Sequence, residues 1–103
     1  MINRGGSKVS PLDVDAVLLE HPAVQDAATF GSPHSALGED VAAAVVVTGQ
    51  GITESELRRF AAKRLATYKV PSRFVFVSEI PKTPLGKIRR LLLTEQFKAE
   101  LER

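Results

Sequence analysis

Apolar positions recur with helical spacing in three stretches of the chain, and each stretch predicts one helix. The first stretch follows Ser10 and Pro11, which predict an N-cap residue and the first helical position, respectively. The second stretch follows Thr53 and Glu56, which have the spacing of a capping box. The third stretch runs from about residue 89 to residue 101. The pattern therefore predicts about three helices.

Shorter apolar stretches predict strands. Residues 24–30 have an impure strand pattern, and residues 73–77 predict a further short strand. Residues 41–47 form an uninterrupted apolar, β-branched run of strand length. We predict that this run is the central strand of a small sheet. The intervening segment 31–35 contains glycine, proline and serine and is predicted to be a loop. At the start of the chain, the glycine-rich segment 3–7 predicts a tight turn between two short extended pieces.

The order of these elements predicts an α+β domain. It consists of a short N-terminal hairpin, a small mixed sheet of about three strands and about three helices, with a further turn at residues 48–51. We expect the helices to pack on one side of the sheet. The 103 residues, of which 44% are apolar, can build one modest core. We therefore expect a single domain over residues 1–103.

Composition excludes several classes of protein. The absence of cysteine excludes a disulfide framework and a thiolate metal site. No apolar run approaches the roughly 20 residues of a membrane span, and the first residues have no hydrophobic signal core. The two histidines, His21 and His34, have no partner at ligand spacing and are expected at the surface. We therefore expect a cytoplasmic protein that has no metal site of its own.

Charge is distributed unevenly although the net charge is only +2. Residues 10–57 contain eight acids and no lysine or arginine, whereas residues 63–90 contain eight basic residues and one acid, Glu79. No acid occurs between residues 80 and 94. This asymmetry suggests an anionic partner for the C-terminal half, such as nucleic acid or a polyanion like ATP or CoA. A solvated basic face explains the charges equally well.

One lysine stands in a segment with strong conformational constraints. Pro81 and Pro84 each fix a backbone angle, and Gly86 allows a sharp bend just before Lys87. We therefore predict that Lys87 lies on a braced loop in front of the last helix. A cation on such a loop can hold a phosphate or a carboxylate. A phosphate-binding P-loop is excluded, because that motif requires serine or threonine where Ile88 stands.

Two segments resemble one known family. The segment from Pro81 to Arg90, which reads Pro-Lys-Thr-x-x-Gly-Lys-Ile-x-Arg, resembles the C-terminal signature of adenylate-forming, AMP-binding enzymes. That family includes acyl-CoA synthetases, peptide-synthetase adenylation domains and luciferases. Residues 2–15 resemble the family's motif just after the hinge between its two domains. Lys8 departs from the usual arginine, whereas the continuation through Ser10 is similar to that of many acyl-CoA synthetases. The resemblance covers nearly the whole chain.

The resemblance implies the C-terminal lid domain of an ATP-dependent acyl-CoA synthetase, an acid–thiol ligase. Such enzymes convert a carboxylic acid and ATP into an acyl-adenylate and then into a CoA thioester. The lysine at the position of Lys87 contacts the substrate carboxylate and phosphate, so Lys87 is expected to be the catalytic residue. After adenylation the domain rotates and a glycine turn lines the CoA tunnel. The expected CoA-binding residues are therefore Gly5, Gly6, Ser7 and Lys8.

The resemblance also implies a partner and leaves alternatives open. The N-terminal adenylation domain, absent from this sequence, is expected to supply the acid pocket, most of the ATP site and Mg²⁺. A setting in fatty-acid metabolism is expected. Within the family the alternative is a peptide-synthetase adenylation domain that loads a carrier protein, although Lys82 and Arg90 favour the CoA ligases. Outside it, the alternative is a small basic module that binds nucleic acid, but Tyr68 alone is a weak stacking platform.

Overall fold

The computed structural model describes residues 1–49 and 51–101 of the chain. It has the predicted α+β fold. Three main strands and an N-terminal hairpin form one mixed sheet, and three helices pack against it. The turn predicted at residues 48–51 includes Gln50, which lies outside the described residues. The strands are β1 (Ile2–Arg4), β2 (Ser7–Val9), β3 (Val24–His34), β4 (Gly38–Val47) and β5 (Arg73–Phe76). The helices are α1 (Pro11–Leu18), α2 (Glu54–Ala62) and α3 (Arg90–Leu101), with a short 3-10 helix at Thr67–Lys69.

Strand β4 is the centre of the sheet, as the apolar run predicted. It pairs antiparallel with β3 along almost its whole length and parallel with β5, where Ala42 lies opposite Arg73. The β1–β2 hairpin joins the same strand through the pairing of Arg4 with Gly38. Every other strand is therefore connected to β4 directly or, for β2, through β1.

Both faces of β4 are buried, so the expectation of helices on one side of the sheet is wrong. Val41, Ala43 and Val45 point into a cluster with α1 and α2. Ala42 and Ala44 point into a second cluster with α3. An uninterrupted apolar run is what a strand covered on both faces requires, since neither alternate set of side chains can be polar.

The prediction of a loop at residues 31–35 is also wrong, because β3 continues through His34. Gly31 lies opposite Val41 and Pro33 lies opposite Glu39, and the chain turns only at residues 35–37. Among the described strands β3 pairs with β4 alone, so it is an edge strand. An edge tolerates proline, because the missing N–H faces away from the ladder.

The helix starts agree with the capping pattern in the sequence. The hydroxyl of Thr53 accepts the N–H of Glu56 at 3.2 Å, so the first half of the capping box is formed. Ser10 occupies the cap position of α1 with an extended backbone, but its side chain makes no capping hydrogen bond. The longest helix, α3, has 12 residues. None of the helices in the described ranges is long and apolar enough to cross a membrane.

Candidate functional site

Lys87 lies on the return arm of a miniature hairpin between β5 and α3. The N–H of Gly86 donates to the carbonyl of Thr83, and the N–H of Thr83 donates to the carbonyl of Lys87, each at 2.8 Å. The N–H of Lys87 in turn donates to the hydroxyl of Thr83 at 3.2 Å. Pro84 follows Thr83 in the turn, and Gly86 has a φ of +87°, a conformation that favours glycine. The loop is braced as the sequence predicted.

The stem of this hairpin is fixed to the core on the α3 side of the sheet. Lys82 and Ile88 form an isolated antiparallel bridge, and the N–H of Arg89 donates to the carbonyl of Pro81 at 2.9 Å. Ile80 is buried among the residues of the α3 cluster, and Ile88 packs against the same cluster. The backbone on both sides of Lys87 is therefore tied down by hydrogen bonds and by apolar packing.

The fold pairs two of the cations that flank Lys87 with carboxylates. Lys82 Nζ lies 2.8 Å from Asp26 Oδ2, and a guanidinium nitrogen of Arg90 lies 2.9 Å from Asp15 Oδ2. Lys87 is exposed and makes no ion pair or side-chain hydrogen bond within residues 1–49 and 51–101. The charge of Lys87 is thus available for an anionic ligand, whereas the charge of Arg90 is engaged inside the domain.

Lys87 lines a surface cavity of about 610 Å³ between the two segments that resemble family motifs. Residues 86–88 and Arg90 form one wall, and Met1 with residues 10–12 forms the other. Residues 1 and 10 lie at the open end of the β1–β2 hairpin, whereas the turn of that hairpin is at its far end. The fold therefore brings the start of the chain to the lysine, but not the glycine turn.

Large apolar side chains surround the lysine without being buried. Leu12 in the cavity wall is 70% exposed, Leu85 at the tip of the loop is 93% exposed, and Leu91 in the first turn of α3 is 80% exposed. Of the three consecutive leucines at residues 91–93, only Leu93 is fully buried. An exposed apolar group around a cation is typical of a surface that meets another protein domain.

The glycine turn is open to solvent on the side of Gly6. Gly5 and Gly6 have φ values of +57° and +92°, which favour glycine. A Cβ on Gly5 would lie 2.9 Å from the end of the Leu37 side chain, whereas a Cβ on Gly6 would have no atom within 4 Å. Ser7 and Lys8 follow on β2 and are both exposed. The four expected CoA-binding residues are therefore accessible together.

Polar contacts that the sequence did not predict fix this turn to the sheet. Gly5 donates its N–H to the carbonyl of Leu37 at 2.9 Å, and Arg4 Nε lies 3.0 Å from Asp40 Oδ1. Burial raises the pKa of Asp40, but hydrogen bonds from Ser72, from the N–H of Val41 and from Arg4 outweigh burial and lower this pKa below its ordinary value. Long-range partners of this kind leave almost no signal in the sequence.

The histidines are used in turns. Nδ1 of His21 accepts the N–H of Ala23 at 3.0 Å, and Nδ1 of His34 accepts the N–H of Leu37 at the same distance. His34 is exposed as expected, whereas His21 is half-buried and packs edge-on against Phe60. Within the described ranges no group of three or more histidines and carboxylates could hold a metal ion.

The chain matches the family of the AMP-binding enzyme C-terminal domain over residues 13–87. Oxalate–CoA ligase of Saccharomyces cerevisiae is 43% identical over 98 residues, which are 94% of this chain and 18% of that protein. Triostin synthetase I of Streptomyces triostinicus is 45% identical over 94 residues, which are 90% of this chain and 18% of that protein.

A solved structure gives the same result. The fatty acyl CoA synthetase of Mycobacterium tuberculosis superposes with a TM-score of 0.90 at 36% identity, over 97% of this chain and 20% of that one. The chain thus spans about a fifth of the length of the proteins it matches. These matches confirm the resemblance seen in the two motifs: the chain belongs to the AMP-binding enzyme C-terminal domain family.

Proposed function

We propose that this chain is the C-terminal lid domain of an acyl-CoA ligase and that Lys87 is the cation of its adenylation step. One observation carries this proposal: the backbone of Lys87 is fixed by hydrogen bonds at both its N–H and its carbonyl, while its side chain has no ion-pair partner in the described part of the chain. The relatives named oxalate–CoA ligase and fatty acyl CoA synthetase support ligation to CoA.

The chemistry explains why a fixed, unpaired cation is useful. In adenylation a carboxylate oxygen of the acid attacks the α-phosphorus of ATP, the bond to the β-phosphate oxygen breaks, and pyrophosphate leaves with that electron pair. Negative charge gathers on the α-phosphate, and a preorganised ammonium stabilises it without reorganising. The same ammonium can hold two anions together that otherwise repel each other.

The second half-reaction needs a different part of the domain. The CoA thiol loses its proton to solvent and attacks the acyl carbon, and AMP leaves as the thioester forms. We assign the approach of the pantetheine arm to the open side of Gly6, with Gly5, Ser7 and Lys8 beside it. A three-residue strand is about 10 Å long. The glycine turn is therefore separated from the Lys87 cavity by the length of the hairpin.

The acid is selected outside this domain. Relatives named for an acid as small as oxalate and for fatty acyl groups share it. The cavity beside Lys87 is open, and its wall includes the exposed Leu12. We therefore propose that the surface formed by Leu12, Leu85 and Leu91 meets an adenylation domain, which supplies the acid pocket, most of the ATP site and Mg²⁺. We call the two domains together the complete ligase.

A second candidate within the family is adenylation followed by transfer to the thiol of a carrier protein. It is favoured by the 45% identity to Triostin synthetase I, whose name is not that of a CoA ligase. The glycine turn would serve either thiol, because both end in a flexible arm. Supplying the complete ligase with CoA or with a phosphopantetheinylated carrier protein distinguishes the two candidates by the thioester that accumulates.

The nucleic-acid alternative loses its main argument in three dimensions. Four of the eight basic residues in segment 63–90 pair with acids of segment 10–57, as Arg64 does with Glu20 and Arg73 with Glu54. Lys82 and Arg90 are paired in the same way. Half of the basic residues of this segment are therefore neutralised within the fold, and we do not propose nucleic-acid binding.

The substitution Lys87→Ala in the complete ligase tests the assignment of the cation. We expect adenylation, measured by ATP–pyrophosphate exchange, to fall by about 10²–10³, the loss typical of one such contact. Thioester formation from supplied acyl-adenylate should be largely unaffected. Lys82→Ala is the matched control, because Lys82 belongs to the same loop but is paired with Asp26. Normal adenylation by Lys87→Ala, or a larger loss in Lys82→Ala, would contradict the proposal.

A further inference from the structure

Arg90 and Asp15 form a closed set of contacts with the backbone of Thr29, at a point where α1, β3 and α3 meet. One guanidinium nitrogen of Arg90 lies 2.9 Å from Asp15 Oδ2, and the other donates to the carbonyl of Thr29 at 2.8 Å. Asp15 Oδ1 accepts the N–H of Thr29 at 2.7 Å. The Asp15 side chain is only 8% exposed and that of Arg90 24%. We call these three residues the Arg90 latch.

The Arg90 latch lies at the end of the loop that carries Lys87. Arg90 is the first residue of α3 and comes three residues after Lys87. Between them, the N–H of Arg89 closes the hairpin stem on the carbonyl of Pro81 at 2.9 Å. The contacts of Arg90 with Asp15 and Thr29 therefore set the direction in which the segment that carries Lys87 leaves the core.

The other arm of the loop has a weaker attachment. Lys82 pairs with Asp26, but their side chains are 41% and 31% exposed, and exposed pairs of this kind contribute little. Arg90 differs because its planar guanidinium reaches two acceptors at once and its carboxylate partner is buried. This partly buried pair is the stronger determinant of where the loop lies.

We infer that Arg90 and Asp15 are positioning residues for Lys87: the latch sets the start of α3 and thereby the location of the Lys87 ammonium over its cavity. This inference rests on the proposed function of Lys87. A buried ion pair is weak evidence for stability, because apolar residues of the same size often stabilise a core equally well. Here the ion pair fixes the direction in which α3 starts, which apolar packing does not.

Amide hydrogen exchange on the 103-residue chain tests the latch without any catalytic assay. Arg90→Lys keeps the charge but replaces the two-pronged guanidinium by a single ammonium. We expect the N–H of Arg89 and that of Lys87 to exchange several-fold faster, while the N–H of Val45 in the central strand stays protected. Arg89→Lys is the matched control, because Arg89 is exposed and its side chain makes no contact of this kind in the described ranges. Unchanged exchange in Arg90→Lys would overturn the inference.

A double-mutant cycle in the complete ligase tests the positioning of Lys87. We expect Arg90→Lys to lower the adenylation rate by about ten- to a hundredfold, as a small misplacement of a catalytic group does. In the Lys87→Ala background the same change should have almost no effect, because its target is gone. Thioester formation from supplied acyl-adenylate should be unaffected, whereas general damage to the domain would lower both half-reactions.

The outcomes separate this inference from the proposed function. Multiplicative losses in the double variant would mean that Arg90 acts independently of Lys87, which overturns the inference and leaves the function of Lys87 intact. Adenylation at the normal rate by Lys87→Ala would overturn both. If Arg90→Lys does not fold, Asp15→Asn replaces it, because the asparagine can still accept the N–H of Thr29 and loses only the charge. The expectations for exchange and for the cycle are the same.

Discussion

Two lysines of the same loop differ in whether the fold pairs their charge with a carboxylate. Lys82 and Lys87 lie in the same loop, yet among the residues that the structure describes only Lys82 has a carboxylate within reach, Asp26 of β3. The sequence shows that no acid is nearby along the chain, but it cannot show which acids the sheet brings close. Asp15 is an instructive exception. It lies on the apolar face of α1 between Val14 and Leu18, and an acid in such a place indicates a buried partner.

The glycine turn gives a prediction at this scale. Gly6→Leu in the complete ligase should lower thioester formation more than adenylation, because the side chain would fill the open side that we assign to the pantetheine arm. Gly51→Leu is the matched control. Gly6 and Gly51 have φ values of +92° and +93°, and a Cβ on either would have no atom within 4 Å. Because the two φ values match, both variants carry comparable backbone strain, roughly 1–2 kcal/mol.

Separate assays of the two half-reactions check this prediction. Gly51→Leu should leave the ratio of the two rates unchanged, since Gly51 precedes α2 and is not part of the hairpin. Equal losses of both half-reactions in Gly6→Leu would mean that the turn is only structural.

Secondary-structure elements were predictable where a local signal determines them. The capping hydrogen bond at the start of α2 and the tight turn before Lys87 are both present in the structure. Each depends only on residues that are neighbours in the sequence. The extension of β3 through Pro33 was not predictable, because the local signal for a loop is outweighed by pairing with Glu39 and its neighbours on β4. The apolar run of β4 is compatible with burial of both faces, but the sequence does not show which helices cover each face.

Asp40 connects two strands and the segment that precedes a third, and it predicts how stability depends on pH. Its contacts with Arg4 and Ser72 join β1 and the segment before β5 to β4. Because these contacts hold the pKa of Asp40 below its ordinary 3.8, the unfolded chain binds a proton more readily than the folded one. The contribution of Asp40 to stability is therefore complete above pH 3.8. It is lost as the pH falls through the lower pKa of the folded state.

Urea unfolding of the chain between pH 5 and pH 2 checks this dependence. The free energy of unfolding should fall less steeply with decreasing pH in Asp40→Asn than in the wild type. Glu95→Gln is the control, because Glu95 is exposed in the middle of α3 and has no ion pair in the described ranges. A slope in Asp40→Asn equal to that of the wild type would contradict the assignment.

At the scale of the whole molecule, the sequence predicted the α+β class and the family, but not how the site is assembled. The two motifs identify Lys87 and the glycine turn separately. The cavity that joins Lys87 to Leu12 and Met1 exists because residues from the two ends of the chain meet there. Contacts of such long range depend on the complete topology. Local patterns of apolar and polar residues do not encode them.

The isolated chain should be folded but inactive. Its core covers both faces of β4, so we expect cooperative unfolding, whereas its only proposed contribution to adenylation is one cation at an open cavity. Purified chain with ATP, Mg²⁺ and a panel of fatty, aryl and dicarboxylic acids should release no pyrophosphate above background. Complete ligase is the positive control. Pyrophosphate release by the chain alone would contradict the proposed division between the domains.

The two-sided burial of β4 has a mechanical consequence. The glycine turn is attached to the start of this strand through Arg4 and Asp40, and the Lys87 loop is anchored through Ile80 and Ile88 to the layer beneath it. Close-packed side chains cover the strand on both faces, so the glycine turn and the Lys87 loop cannot shift relative to each other without disrupting the core. The domain is therefore expected to move as one rigid body. Under the proposed function, withdrawing the Lys87 ammonium from an adenylation domain and bringing the glycine turn into place are then the same rotation, with a pivot outside the core.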